Sequence, residues 1–222
     1  MSDVALRPVL ALIGGTGALG TGLARRWVKA GYAVHIGSRD LGKAKDAAAA
    51  LAVPEDGMLP EGASYADAAA AADIVILTVP FAAQGEAIDA IKPSVSGKLI
   101  VDTTVPLPQP KAALVQLSEF ASAAVAAQKR LGGVARVVSA FHNVPARRLQ
   151  QDIMIDCDVL VFGDGLSDRH RTIALVQAAG MRGVHGGPLA NSVAAEAMTS
   201  VLININRHYK ADHVGIRITG IG

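Results

Sequence analysis

The 222-residue sequence predicts an α/β fold: a Rossmann-type doubly wound parallel sheet with a small C-terminal α/β extension. Three observations predict it. A G-x-G-x-x-G cluster, Gly15, Gly17 and Gly20, joins an apolar run directly to a helical pattern. Short apolar runs then alternate with helical stretches as far as Ala140. One of these runs, Ile74-Val75-Ile76-Leu77-Thr78-Val79, lacks polar alternation, as a parallel strand covered on both faces does.

The elements follow in order. A first strand over 9–13 meets the glycines, and the helix after them buries Leu19, Leu23 and Trp27 with Ala24 and Val28 alongside. Arg25, Arg26 and Lys29 are expected to face outward, and Gly31 to stop the helix. A second strand is expected over 32–36 and an alanine-rich helix over 41–52, closed by Pro54. Residues 53–64 read as a loop or a poorly formed third strand, and 65–72 as a short helix. The apolar strand over 74–79 ends at Pro80, a helix spans 81–91, and a further strand spans 98–102. Pro106, Pro108 and Pro110 forbid a helix over 103–111 and suit an extended loop over the strand ends. A second alanine-rich helix is expected over 118–131 and the sixth strand over 136–140. Beyond it come a strand over 158–162, a helix over 167–179 capped by Ser167, a strand over 181–185 and a long helix over 189–207. The pattern places nothing regular over 208–222. The expected division is a dinucleotide-binding domain, 1–145, and a small substrate or dimerisation part, 146–222, packed on it. The apolar face of the last helix, Val193, Ala197, Val201 and Ile205 with Met198 and Leu202, needs a partner in the first domain or in a second subunit.

The three glycines of the cluster serve different purposes. One permits the turn, one lets backbone N–H groups approach a pyrophosphate, and one lets helix and strand pack closely. Gly15, Thr16, Gly17, Ala18, Leu19 and Gly20 are therefore the expected cofactor loop, with the phosphates on the helix N-terminus. The end of the second strand selects the dinucleotide. An NAD site places Asp or Glu there for the ribose 2′-OH, whereas this chain has Gly37, Ser38 and Arg39. Ser38 and Arg39 can donate to a 2′-phosphate, each charge-assisted bond contributing about 1.5–3 kcal/mol, and Lys43 adds a third contact. The sequence thus points to NADP. The alternative is a solvated helix start capped by Asp40. Thr78, Val79, Pro80 and Phe81 follow the buried strand and should line the crevice at the sheet's carboxyl edge. His142 begins the segment His142-Asn143-Val144-Pro145 just after the sixth strand. A histidine there can hydrogen-bond a ring carbonyl, act as acid or base, or simply cap the loop.

Composition narrows the partners. The formal net charge is only +2, and no basic run is interleaved with aromatics, so small molecules rather than nucleic acid are expected. No signal-peptide pattern surrounds Asp3 and Arg7, and no uncharged apolar run reaches the ~18 residues that span a bilayer, so no membrane association is expected. The single cysteine, Cys157, excludes a disulfide framework and a cysteine metal site, fits a cytoplasmic protein, and reads as a buried apolar residue. Asp164 and Asp168 are too few for a calcium loop, and no metal is expected.

The segments IGGTGALGTGLARR (13–26), HIGSRDLGKA (35–44), ADIVILTVP (72–80), VVSAFHNVPA (137–146) and GGPLANS (186–192) together resemble the NADPH-dependent reductases of coenzyme F420, in the same order through nearly the whole chain. The resemblance implies a compact, usually dimeric enzyme that moves a hydride between NADP and a deazaflavin. It implies that Thr16, Ser38, Arg39 and Lys43 hold the 2′-phosphate end, and that the turn from Gly187 to Ser192 and the loop from His142 through Asn143 to Pro145 border the deazaflavin, with Phe81 as an aromatic wall. His142 would then orient the ring or buffer a proton. The family often has tryptophan where Phe81 stands, and threonine and isoleucine in place of Asn143 and Val144. Other small two-electron acceptors (a pterin, a flavin, a carbonyl compound) and a non-catalytic NADP-binding sensor remain as alternative readings.

Overall fold

The computed structural model describes residues 7–55, 57–107, 110–117 and 120–221. Asp3, Pro108, Ser118 and Gly222 lie outside these residues. Eight strands form one sheet: β1 (Leu10–Ile13), β2 (Val34–Gly37), β3 (Glu61–Ala63), β4 (Ile74–Leu77), β5 (Leu99–Asp102), β6 (Arg136–Ser139), β7 (Asp158–Gly163) and β8 (Arg182–Gly187). Their spatial order is β3-β2-β1-β4-β5-β6-β7-β8. The helices are α1 (Ala18–Lys29), α2 (Leu41–Ala49), α3 (Tyr65–Ala71), α4 (Phe81–Ile91), α5 (Ala123–Leu131), α6 (Ala146–Leu149), α7 (Leu166–Ala178) and α8 (Ser192–Tyr209).

Side chains on successive strand residues point to opposite faces, so each strand feeds two cores. Leu10 and Leu12 join Leu23, Trp27, Ile36 and Phe141 on one face. Ala11 and Ile13 join Val75, Leu77, Ile88 and Ile100 on the other. Trp27 is fully buried and donates from Nε1 to the Leu175 carbonyl at 2.9 Å, so its one polar group is satisfied and α1 is tied to α7.

The six strands β1 to β6 are parallel, as expected for βαβ units. β7 departs from that expectation and runs antiparallel to β6, pairing Ser139 with Phe162 and Val138 with Gly163. Between these strands the chain forms only the single turn of α6, which packs on α1, in place of a full crossover helix. β7, α7 and β8 then make a further parallel unit on the same sheet, so residues 146–221 extend the sheet rather than beginning a second one.

Several local expectations need correction. Arg26 does not face water. Its guanidinium donates to the carbonyls of Leu149 (3.2 Å), Ala179 (2.8 Å), Arg148 (3.4 Å), Gln151 (2.9 Å) and Ile153 (2.9 Å), gathering carbonyls from the end of α6, from the segment after it and from the cap of α7. α2 ends at Ala49, with Ala50 as its cap, before Pro54 is reached. α7 starts at Leu166 behind Gly165, so Ser167 lies inside the helix and is not its cap. Residues 211–221 have no regular structure, yet Asp158 anchors them: its backbone N–H donates to Ile216 O at 2.7 Å, and its carboxylate accepts from Ile218 N at 2.6 Å. Arg182 grips the same carboxylate with two bonds of 2.7 Å and donates to Ile218 O. This hydrogen bonding from Arg182 holds the Asp158 carboxyl below the usual carboxylate range.

Candidate functional site

The carboxyl ends of β1, β2, β4, β5 and β6 open into one cleft of about 620 Å³. Its floor is the turn between β1 and α1. Gly14 adopts φ +79°, a left-handed conformation that favours glycine, and a Cβ there would lie 2.6 Å from a Val79 methyl. Gly14 stands outside the G-x-G-x-x-G spacing, and the doubled glycine is the sequence signal that marks it. The expected glycine roles have separate geometries. A Cβ on Gly20 would sit 2.6 Å from Gly15 Cα, which makes Gly20 the close-packing position. A Cβ on Gly17 would meet only Gly14 O, at 3.7 Å, so the packing leaves room for a side chain at this cleft-lining position. The first turn of α1 carries no acidic residue, and its N–H groups lack helical acceptors, as an anion site requires.

Twelve of the sequence-predicted residues meet at this cleft: Thr16, Gly17, Ala18, Leu19, Ser38, Arg39, Lys43, Thr78, Val79, Pro80, Phe81 and His142. Gly15 and Gly20 lie beneath it as packing residues. Ser38 is held by Ala63 O on its N–H (3.1 Å), and its Oγ accepts from Asp40 N at 3.2 Å. Asp40 caps α2 by accepting from Lys43 N at 3.1 Å, so a capped helix start and a cluster of donors coexist at the same place. Thr78 commits its hydroxyl to Ile13 O at 3.0 Å.

The strand β3 pairs with β2, and this brings Tyr65, the first residue of α3, to the cleft beside Arg39. Sequence reasoning misses Tyr65, and it misses Glu86, which contacts Arg39 at 3.5 Å. Neither carries a local motif; both arrive through strand order.

On the far wall, Phe141 holds a left-handed backbone (φ +67°) at the end of β6. Its ring packs edge-on against Trp27 at 6.0 Å between centroids. The next residue, His142, is buried, with Nε2 2.7 Å from Ser139 Oγ and Nδ1 unpartnered among the described residues. Burial drives its pKa down to about 4, which favours the neutral ring near pH 7. A neutral imidazole can still orient a bound ring by hydrogen bonding. Thr103 and Thr104 also line this wall, and buried Asp102 fixes Thr104 by accepting from its N–H (2.9 Å) and Oγ1 (2.7 Å). Gln84 Nε2 lies 2.6 Å from both Asp102 Oδ2 and Thr104 Oγ1. Desolvation pushes Asp102 up to about 7. An aspartate closing an apolar strand is the signal in the sequence that marks this group.

The remaining residues predicted for the second substrate lie outside the cleft. Asn143 is buried and donates to Ala195 O (2.9 Å) and Thr199 Oγ1 (3.1 Å), joining the loop to α8. Through this contact Thr199, not predicted, reaches the cleft. Pro145 caps α6. Gly187 pairs with Phe162, which pairs with Ser139, placing it two strands away from β6. Ser192 is wholly buried, its Oγ 2.5 Å from Ser122 Oγ and 3.2 Å from Glu196 Oε1. Cys157 is buried as expected, and burial raises its thiol to about 11, which leaves it unreactive. No cluster of three or more metal-ligating side chains occurs, and no helix is long and apolar enough to cross a membrane, among the described residues.

Known proteins share both the sequence and this architecture. Residues 9–106 match the family described as NADP oxidoreductase, coenzyme F420-dependent. The F420-dependent NADP reductase of Methanothermobacter thermautotrophicus is 38% identical over 96% of this chain and 95% of its own length. That of Methanocaldococcus jannaschii is 36% identical over 96% and 98%. Among solved structures, a candidate F420-dependent NADP reductase from Arthrobacter covers 96% of this chain and 100% of its own with a TM-score of 0.80, at 23% identity, and so speaks for the fold alone.

Proposed function

The chain belongs to the family of coenzyme F420-dependent NADP oxidoreductases, and from this premise we infer that it transfers a hydride between NADP(H) and coenzyme F420. It is an NADPH-dependent oxidoreductase. When bound, the nicotinamide supplies or accepts the hydride at C4 and the deazaflavin exchanges it at C5. Direct exchange between two rings needs orientation and a dry pocket, not a protein nucleophile.

The observation that carries the reading is one cleft that sets a glycine-rich turn suited to phosphate and a cluster of donors beside an apolar wall. At the phosphate end, Gly17 leaves the backbone bare for close approach, and α1 offers its N-terminal N–H groups. Ser38, Arg39 and Lys43 are the residues suited to the 2′-phosphate. At the reacting end, Val79, Pro80 and Phe81 exclude water, while neutral His142, whose Nδ1 has no partner among the described residues, is the group suited to orient a ring by hydrogen bonding. We also propose a homodimer: α8 and the loop before α5 expose Leu114, Val115, Leu117, Met198 and Val201, an apolar surface suited to a second copy. In this reading residues 1–145 bind the dinucleotide, and 146–222 contribute the second-substrate and dimerisation side. The one buried, unreactive cysteine suits a cytoplasmic setting.

The test is a spectrophotometric assay of the purified protein with NADPH and coenzyme F420. Loss of NADPH absorbance coupled to loss of oxidised deazaflavin is expected. Normal NADPH binding without F420 reduction would overturn the reading.

A further inference from the structure

The sheet order β2-β1-β4 makes β1 the floor of the crevice, with the chain ends of β2 and β4 as its two banks. Arg39 stands on one bank, two residues after β2. Glu86 stands on the other, in the second turn of α4, which follows β4 directly. Their side chains meet across the crevice, Arg39 NH1 to Glu86 Oε2 at 3.5 Å, and both are about two-thirds exposed. Tyr65 lies against the pair from α3, so Arg39 has a carboxylate and a phenol as neighbours before any ligand arrives.

An arginine that is to bind a phosphate gains most when it is unpaired. Here its guanidinium already has an anionic partner, which a phosphate must displace and then tolerate nearby. We propose that Glu86 is a specificity-determining residue that weakens the hold on the dinucleotide's 2′-phosphate by competing for Arg39. The proposal rests on the reading of Arg39 as a 2′-phosphate ligand. Its consequence is selective: NAD lacks the phosphate, so its affinity does not depend on whether Glu86 occupies Arg39. A resident competitor lowers affinity at the phosphate without disturbing the ring end.

The experiment is isothermal titration of the wild type, E86Q, R39M and the double variant with NADP+ and with NAD+, at low and at high ionic strength. E86Q is expected to bind NADP+ roughly two- to fivefold more tightly at low salt, the range set by an exposed ion pair. NAD+ affinity should stay unchanged, the gain should shrink as salt screens the pair, and R39M should abolish it in the double variant. If R39M reduces the preference for NADP+ but E86Q binds it as the wild type does, or less tightly, the role of Glu86 is overturned while the 2′-phosphate reading stands. If R39M leaves the NADP+ preference intact, the 2′-phosphate reading falls and the proposal falls with it.

Discussion

Glu196 Oε2 accepts a hydrogen bond from the backbone N–H of Ala123 at 2.7 Å, so a carboxylate from α8 caps the N-terminus of α5. The other oxygen accepts from Ala124 N (3.3 Å), Ser122 Oγ (2.7 Å) and Ser192 Oγ (3.2 Å), and the whole cluster is buried. A negative charge at a helix N-terminus is favoured by the aligned peptide dipoles, and here it also links α5 to α8. Glu196→Ala leaves buried donors without acceptors and should cost roughly 2–4 kcal/mol in urea denaturation. Glu196→Gln keeps one acceptor and should cost less than half of that. Wild-type stability in the alanine variant would show that the cap contributes nothing.

The two glycines at the turn should separate stability from binding. Gly20→Ala places a Cβ 2.6 Å from Gly15 Cα, and the forced shift should lower stability by about 1–3 kcal/mol. Gly17→Ala meets only Gly14 O at 3.7 Å, so thermal stability should hold while NADP affinity drops at least about tenfold from lost backbone approach. Melting temperatures and NADPH titration together check this; equal affinity for Gly17→Ala and wild type would remove Gly17 from the phosphate site.

Replacing Arg26 should loosen the C-terminal part. Arg26→Lys retains charge but cannot reach five carbonyls with one ammonium group, and a loss of roughly 1–3 kcal/mol is expected. Hydrogen exchange should rise first around 148–153 and at the end of α7. Uniform protection in the variant would contradict that role.

The pH dependence of stability offers a test with opposite signs. His142, whose pKa falls from 6.5 to about 4, contributes stability that is present above 6.5 and lost as pH falls toward 4. Asp102, raised from 3.8 to about 7, contributes stability that is present below 3.8 and lost as pH rises toward 7. Between about 4 and 6.5 the folded chain holds the Asp102 proton and the unfolded chain holds the His142 proton, so the two slopes cancel. His142→Gln should therefore make stability fall with rising pH relative to wild type, by about 1.4 kcal/mol per unit. Asp102→Asn should make it rise by a similar amount. Denaturation series across this window check both, and profiles parallel to the wild type would refute the assigned protonation states.

His142 also has a kinetic signature. If the imidazole orients the reacting end and not the phosphate end, as proposed, His142→Ala should lower turnover while NADP binding survives. Unchanged kcat and KM would take it out of the mechanism.

The N-terminal part is legible in the sequence because its signals are local. Glycine spacing, the period of α1 and the residues following β2 and β4 lie within short windows, and each converges on the cleft through one fixed topology. The second half is less so, since its meaning depends on strand direction. Residues 158–162 read as a strand correctly, but nothing in them shows that the chain has reversed at α6. Gly187 and Ser192 consequently look close to the cleft and do not line it. Periodicity misplaces Arg26 because it assigns a helix face, whereas the open carbonyls that Arg26 satisfies come from residues more than a hundred positions away. The tail over 211–221 has no periodicity because it is held by Asp158 and Arg182 rather than by its own pattern.

Phe141 places two demands on one position. Its backbone angle, φ +67°, is one that a bulky residue adopts at a cost of about 1–2 kcal/mol and glycine adopts freely. Its side chain fills the space against Trp27, which glycine would leave empty, at a cost of roughly 3–5 kcal/mol. The larger quantity wins, so the site stays strained. A shape-conserving aromatic retains the packing, whereas a residue chosen to relax the main chain opens a void beside the cleft. Variation at this position is confined from both sides, and the neighbouring His142 inherits its placement from that confinement.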